Sequence, residues 1–194
     1  MAFLRATPPN ETPVIQGRGL FLRTPSPADY AAWTQLRAES RAFLTPWEPT
    51  WPGDDLTRTA FRRRIRRYQS EVREDRAYPF FVFRQDDFAL LGGITLSNVA
   101  RGMTQTGTLG YWMGERHANR GYMTKAVRAI APFAFGALNL HRLEAACLPH
   151  NAASIRLLEN VGFRREGVAR GLVCINGRWQ DHIVFALLTE DLLR

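Results

Sequence analysis

The stretch LGYWMGERHANRGYMTKAV, from Leu109 to Val127, runs as a strand ending near Met113, a short basic loop, and a helix that opens at Gly121. That order can hold an anion. The first amides of a helix lack carbonyl partners and sit at the positive end of its dipole, and a glycine lets a phosphate come close to the backbone. Arg116 and Arg120 add charge to the same loop. A second concentration of charge lies from Arg58 to Arg67, where six arginines occur with no acid (RTAFRRRIRR). Such a face suits an anionic partner, such as RNA or an acidic substrate, or is simply solvated. A third feature is the loop FLTPWEPTWPGDD, in which Phe43, Trp47 and Trp51 flank the carboxylate Glu48. Pro46, Pro49 and Pro52 keep the segment out of regular structure, and its aromatics would be costly to leave in water.

The chain of 194 residues is sized for a single domain spanning 1–194, with the Pro-rich residues 1–12 as a loose arm. At 45% hydrophobic and 23% charged, it is neither a disordered nor a fibrous sequence. Its net charge of +8 comes from arginines and a single lysine, Lys125. A bias of that kind runs through the whole chain, so the clustering of charge says more than its sum. Cys147 and Cys174 lie in apolar runs (LEAACL, GLVCI) without CxxC or pairable spacing. Both are expected as buried reduced thiols, and no metal centre is expected. With no signal-peptide hydrophobic region and no run of about 18 apolar residues, a cytoplasmic location and no membrane contact are expected.

Positioning these residues needs a particular order of elements. Val14–Pro25 alternates as a strand; Ser26 then caps a helix with Pro27 at its first position, running to about Ser40. A second helix, capped by Asp54 or Asp55, places Phe61, Ile65, Tyr68 and Val72 on one face and its arginines on the other. AYPFFVFRQ, ALLGGITLSNV and QTGTLGYWMG read as an antiparallel meander. The helix from Gly121 to about Phe135 carries a stripe of Met123, Val127, Ile130 and Ala134, with a kink at Pro132. HRLEAACL alternates as a strand, and the next helix is capped by Asn151 and ends at Gly162, with Phe163 folded back on Leu158. Two last strands, about Arg164–Ile175 and Asp181–Leu188, join at an Asn176-Gly177 turn. The expected class is α+β: a mixed, mostly antiparallel sheet of six to seven strands flanked by about four helices.

The loop at Gly121 joined to PHNAASIRLLENVGF resembles the GCN5-related N-acetyltransferase (GNAT) family, in which a pyrophosphate-binding strand, loop and helix precede an Asn-x-x-Ala/Ser helix ending in Gly-Phe. The element order over nearly the whole chain is also that of the family. FLTPWEPTW, LGGITLSNV, GYMTKAV, NAASIRLLENVGFRREG and INGRWQDHIVFALL are similar to the bacterial ribosomal-protein alanine N-acetyltransferases within it.

The resemblance implies acetyl-CoA as co-substrate and a strand at Tyr111, Trp112 and Met113 that splays from its neighbour to pair with the pantetheine arm. It also implies that the amides of Arg120, Gly121, Tyr122, Met123 and Thr124 cradle the pyrophosphate beside Arg116 and Asn119. The family signature Arg/Gln-x-x-Gly-x-Gly/Ala falls on Ala118-Asn119-Arg120-Gly121-Tyr122-Met123, which keeps Gly121 but departs at the first and last positions, so Met123 is placed to crowd the phosphate. Asn151 would reach the pantetheine amide. Ser154 would protonate the leaving thiolate or hold a water that does, because the tyrosine that many members carry four residues on is Leu158 here.

The implied reaction is attack of a neutral amine on the thioester, with the oxyanion held by a strand amide such as that of Met113. The base is left open among Glu48, Glu115, Glu166 and Asp181. The expected acceptor is a protein N-terminal amine, alanine or serine on a ribosomal protein, with Glu48 in a wall of the acceptor slot and Arg58–Arg67 able to touch ribosomal RNA. The rivals are a small-molecule amine acceptor and a binding module without turnover. Monomer and dimer stay open.

Overall fold

In the computed structural model, which describes residues 13–193, every strand belongs to one sheet. The expected arm at 1–12 lies outside the described residues. The elements are β1 (Val14–Gly17), β2 (Leu20–Arg23), α1 (Tyr30–Glu39), α2 (Arg41–Leu44), α3 (Arg58–Arg73), β3 (Tyr78–Arg84), β4 (Leu90–Ala100) and β5 (Thr106–Met113). They continue with α4 (Tyr122–Pro132), β6 (Arg142–Cys147), α5 (Ala152–Val161), β7 (Arg164–Ile175) and β8 (Arg178–Leu188). The sheet order is β1-β2-β3-β4-β5-β6-β8-β7, and β5 with β6 is its one parallel pair. The class is the expected α+β arrangement, with eight strands instead of six or seven.

The extra strand comes from Val14–Pro25, which is a hairpin rather than a single strand. Its chain reverses at Arg18-Gly19 so that Ile15 faces Leu22 and Gln16 faces Phe21. The helix expected from Ser26 starts as a 3-10 turn at Pro27–Asp29, where the Asp29 carboxylate accepts the Ser26 amide (2.7 Å). The cap of α3 is Thr57, whose hydroxyl accepts the Ala60 amide (3.2 Å). Asp54 and Asp55 lie one turn too early to cap; they bind Arg63 (3.1 Å) and Arg64 (2.5 Å) on the helix face instead. Pro132 closes α4, and the chain leaves it through a wider π turn, Phe133–Ala137.

Alternation along the strands divides the core. Leu20, Leu22, Phe80 and Val82 pack with α4 and α5 on one face, whereas Phe81 and Phe83 pack with Trp33, Phe61 and Ile65 of α1 and α3 on the other. At roughly 25 cal/mol per Å² of apolar surface removed from water, this burial dominates the folding free energy. Both cysteines are free; Cys147 is buried as expected, but Cys174 is only half-buried, because β7 is an edge strand with no neighbour beyond it. Among the described residues no helix is long and apolar enough to cross a membrane.

Candidate active site

β5 and β6 stay paired from Thr106 and Arg142 to Leu109 and Ala145, and then separate. β5 runs on beside β4, with Met113 opposite Gly92, while β6 runs on beside β8, with Cys147 opposite Ile183. A cleft of about 490 Å³ opens where they part. The Gly114 amide donates to the Leu91 carbonyl of β4 (2.9 Å). Because successive amides of a strand point to opposite sides, those of Met113 and Tyr111 turn away from β4 into the gap left by β6. Trp112 lies across Gly93, where an added Cβ would come within 2.5 Å of the indole nitrogen. The pair Gly92-Gly93 thus lets β4 and the Trp112 ring close up behind the cleft.

The loop and helix after β5 form one end of the cleft. Gly121 is the N-cap of α4 in the left-handed region, at φ 73°, and Asn119 is left-handed too, at φ 57°. No side chain caps the helix, so its first-turn amides are free to meet an anion, and the turn carries no acid. Arg120, Asn119, Thr124 and Tyr122 line this end. Met123 is largely buried, packed with Ala126, Val127 and Ile130, and it also lines the cleft at this end. Arg116 is not in the cleft wall, because Glu39 holds one end of its guanidinium (3.1 Å) and its Nε donates to His117 Nε2 (3.2 Å). His117 is itself a buried wall residue, and burial, then Arg116, Arg84 and Arg120, hold its pKa below the usual imidazole value.

Asn151 caps α5 by accepting the Ser154 amide at its side-chain oxygen (3.1 Å), which leaves its own side-chain N–H2 free to donate. Both residues line the cleft. Tyr111, projecting from β5 to the α5 face, keeps its phenol protonated: burial pushes its pKa up to about 12, with the Ser154 side chain drawing it down. Leu158 is fully buried.

The opposite mouth of the cleft is walled by Phe43, Trp47, Glu48 and His182. Of the four carboxylates considered as bases, only Glu48 lines it. Arg142 holds Glu166 on the outer strand pair (2.8 Å), the Gly171 amide binds Asp181 (2.8 Å), and Glu115 is exposed beyond the end of β5. Glu48 is itself held at both oxygens by Arg37 (2.8 and 2.7 Å) and by the Trp51 indole (2.7 Å). A second cavity of about 750 Å³ lies between α1, α3 and the Trp51 loop, and it shares Glu48, Gly110, Tyr111 and Trp112 with the cleft.

Sequence reasoning missed His182. Its one signal was a lone histidine among the alternating apolar residues of β8, which is more often a satisfied core side chain.

The Acetyltransferase (GNAT) domain family matches residues 19–164. The Bacillus subtilis (strain 168) protein YjcK, named a probable N-acetyltransferase, is 37% identical over 178 residues, 92% of this chain and 98% of that protein. The ribosomal protein uS5 alanine N-acetyltransferase of Escherichia coli (strain K12) is 33% identical over 165 residues, 84% of this chain and 85% of that one. Mycobacterium smegmatis RimJ, solved in complex with CoA-disulfide, has a TM-score of 0.86 at 29% identity and covers 94% of this chain and 89% of its own. The chain belongs to the GNAT acetyltransferase family. It is an N-acetyltransferase whose acetyl donor is acetyl-CoA, and a splayed pair of strands beside uncapped helix amides fits that donor.

Proposed function

We propose that the single domain 1–194 acetylates the N-terminal α-amine of a protein, with alanine or serine on a ribosomal protein as the acceptor. The observation that carries this reading is the second cavity. It reaches the splay from the face opposite α4 and α5, and at about 750 Å³ behind Trp33, Trp51, Tyr68 and Trp112 it has room for the first residues of a peptide. The likeness to the Escherichia coli uS5 alanine acetyltransferase supports the same acceptor class.

In this reading the amides of Arg120 to Thr124, with Asn119 beside them, hold the pyrophosphate. The backbone of Tyr111 to Met113 and the Asn151 side chain hold the pantetheine arm. The acceptor nitrogen attacks the thioester carbonyl, the Met113 amide stabilises the oxyanion, and Ser154 on the first turn of α5 supplies a proton to the thiolate. Glu48 frames the acceptor slot as half of a fixed ion pair. Arg62 and Arg66 are the exposed members of the Arg58–Arg67 run left for a weak contact with ribosomal RNA. Arg63, Arg64 and Arg67 are paired with Asp54, Asp55 and Glu71, and Arg58 lies over the Tyr30 ring. The site of action would be the cytoplasm.

The test is incubation with isotope-labelled acetyl-CoA and an extract of ribosomal proteins, followed by peptide mass spectrometry. Label on the first residue of one protein supports the reading. Release of free CoA with no labelled protein points to a small-molecule amine and overturns it.

A further inference from the structure

We infer that His182 is the general base of the transfer, accepting at Nε2 the proton that the acceptor nitrogen loses. The inference rests on the acetyl-transfer activity and on the face by which the acceptor enters.

Ile183, Phe185 and Leu187 of β8 point into the core beneath α4 and α5, so His182 points to the other face of the sheet. That is the face of Phe43, Trp47 and Glu48, the acceptor mouth of the cleft, and His182 is part of its wall. Its position along the strand is equally specific. Ile183 pairs with Cys147, the last residue of β6, so His182 lies one step beyond, where β6 has ended and the gap to β5 is widest.

The ring is then oriented by its own strand. Nδ1 lies 3.0 Å from the Gln180 carbonyl, which can only accept, so in the neutral ring Nδ1 carries the hydrogen and Nε2 presents a lone pair. Nε2 has no hydrogen-bond partner among the described residues and is not a sealed, unsatisfied atom either, so it looks onto the cleft. Glu48, the one carboxylate in this mouth, has both oxygens occupied by Arg37 and the Trp51 indole. The elements around His182 bring few other ionisable groups: Arg37 with Glu48, Cys147 and His150 at the end of β6, Arg170 on β7, and Asp181, whose carboxylate is held by the Gly171 amide.

The nitrogen lone pair forms the C–N bond while the carbonyl π pair moves to oxygen. The nitrogen then gives its proton to His182 Nε2, making an imidazolium. The C–S bond breaks with its pair going to sulfur, the carbonyl re-forms, and the thiolate is protonated from the Ser154 side. His182 returns its proton to solvent, so amine and acetyl-CoA become amide and CoA thiol. Base and acid thus occupy opposite faces of the sheet, so each can serve its own atom, the amine nitrogen or the thioester sulfur.

The experiment measures kcat from pH 5.5 to 9.5 and acetyl-CoA affinity for the wild type, His182→Ala and His182→Asn. The asparagine amide can still donate to the Gln180 carbonyl, which guards against a folding defect. An alanine-starting peptide is the acceptor, replaced by a primary amine if the wild type does not use the peptide. Absence of peptide turnover in the wild type counts against the acceptor reading alone; the ratio of variant to wild type with the working amine decides His182. The expected result is a kcat lower by about 100-fold or more, loss of the acidic limb of the wild-type profile, acetyl-CoA affinity within about twofold, and partial rescue of His182→Ala by added imidazole. A His182→Asn kcat within about threefold of wild type, or a lower kcat with the acidic limb intact, overturns the inference.

Discussion

Arg37 on α1 and Glu48 on the loop after α2 meet fork to fork, Nη1 to Oε1 at 2.8 Å and Nη2 to Oε2 at 2.7 Å; both line the second cavity, and Glu48 lines the first cleft as well. Arg37 is 6% exposed, and its guanidinium lies over the rings of Trp51 (3.9 Å) and Trp112 (4.9 Å). Its Nε has no partner. The carboxylate is the counter-charge of this buried cation, and with both oxygens taken by Arg37 and the Trp51 indole it serves as a strut. It ties the Trp47–Trp51 loop to α1, whose Arg37 in turn lies over the Trp112 ring of β5.

Replacing Glu48 with glutamine therefore acts first on stability. Breaking a buried ion pair costs about 3–5 kcal/mol, and the partial exposure of Glu48 brings the expected cost down to about 2 kcal/mol. For a domain of this size that lowers Tm by about 4–8 °C, while the acidic limb of the rate profile stays in place. Calorimetry alongside pH–rate measurements checks both. An unchanged Tm with kcat lower by about 100-fold would make Glu48 the base after all.

Much of the fold was legible because local signals agreed with it. The Asn176-Gly177 turn, the Asn151 cap and the Gly162 stop each have short-range causes, and each falls where the sequence puts it. The hairpin at Arg18-Gly19 was missed because its strands are four residues each, too short for alternation to reveal a reversal. In the site, the Gly121 loop was readable from backbone chemistry alone. Which carboxylate could act as base was not, since that depends on partners far apart in sequence, such as Arg142 with Glu166. The lone histidine at 182 gained meaning only when the sheet order placed its face opposite the loop of Trp47.

Gly121 has open space where a Cβ would be, so its requirement is conformational, φ 73°. Gly121→Ala should cost about 1 kcal/mol through the left-handed backbone and tilt the first amides of α4. Loss of one charge-assisted hydrogen bond to phosphate raises the acetyl-CoA KM about tenfold or more, with kcat at saturation little changed. An unaltered KM would remove this loop from cofactor binding.

Asn151 and Ser154 share one hydrogen bond yet are expected to serve different steps. Asn151→Ala removes the cap, at about 1 kcal/mol, and with it any contact of the side-chain amide to pantetheine. Asn151→Ser restores a capping oxygen but not that amide, so stability should recover while the acetyl-CoA KM stays high. Ser154→Ala keeps the cap intact and should lower kcat by about tenfold or more without changing that KM. If Ser154→Ala turns over as fast as the wild type, the serine has no part in protonating the thiolate.

His117 sets an acid sensitivity distinct from that of the carboxylates. It is buried, its Nδ1 has no partner, and burial together with Arg116, Arg84 and Arg120 holds its pKa below the ordinary value near 6.5. The folded protein thus keeps the ring neutral at pH values where the unfolded chain protonates it. Stability is full above about pH 6.5 and declines as the pH falls below it, with a slope of at most about 1.4 kcal/mol per pH unit from this one group. Asp29 and Asp87, held low by Arg23 and Arg84, contribute stability that is lost only at lower pH, below the usual carboxylate range near 4. Urea unfolding at pH 7.5, 6.5 and 5.5 should show the decline in the wild type, and His117→Asn should flatten it. Equal slopes in the two proteins across that window would assign the acid sensitivity elsewhere.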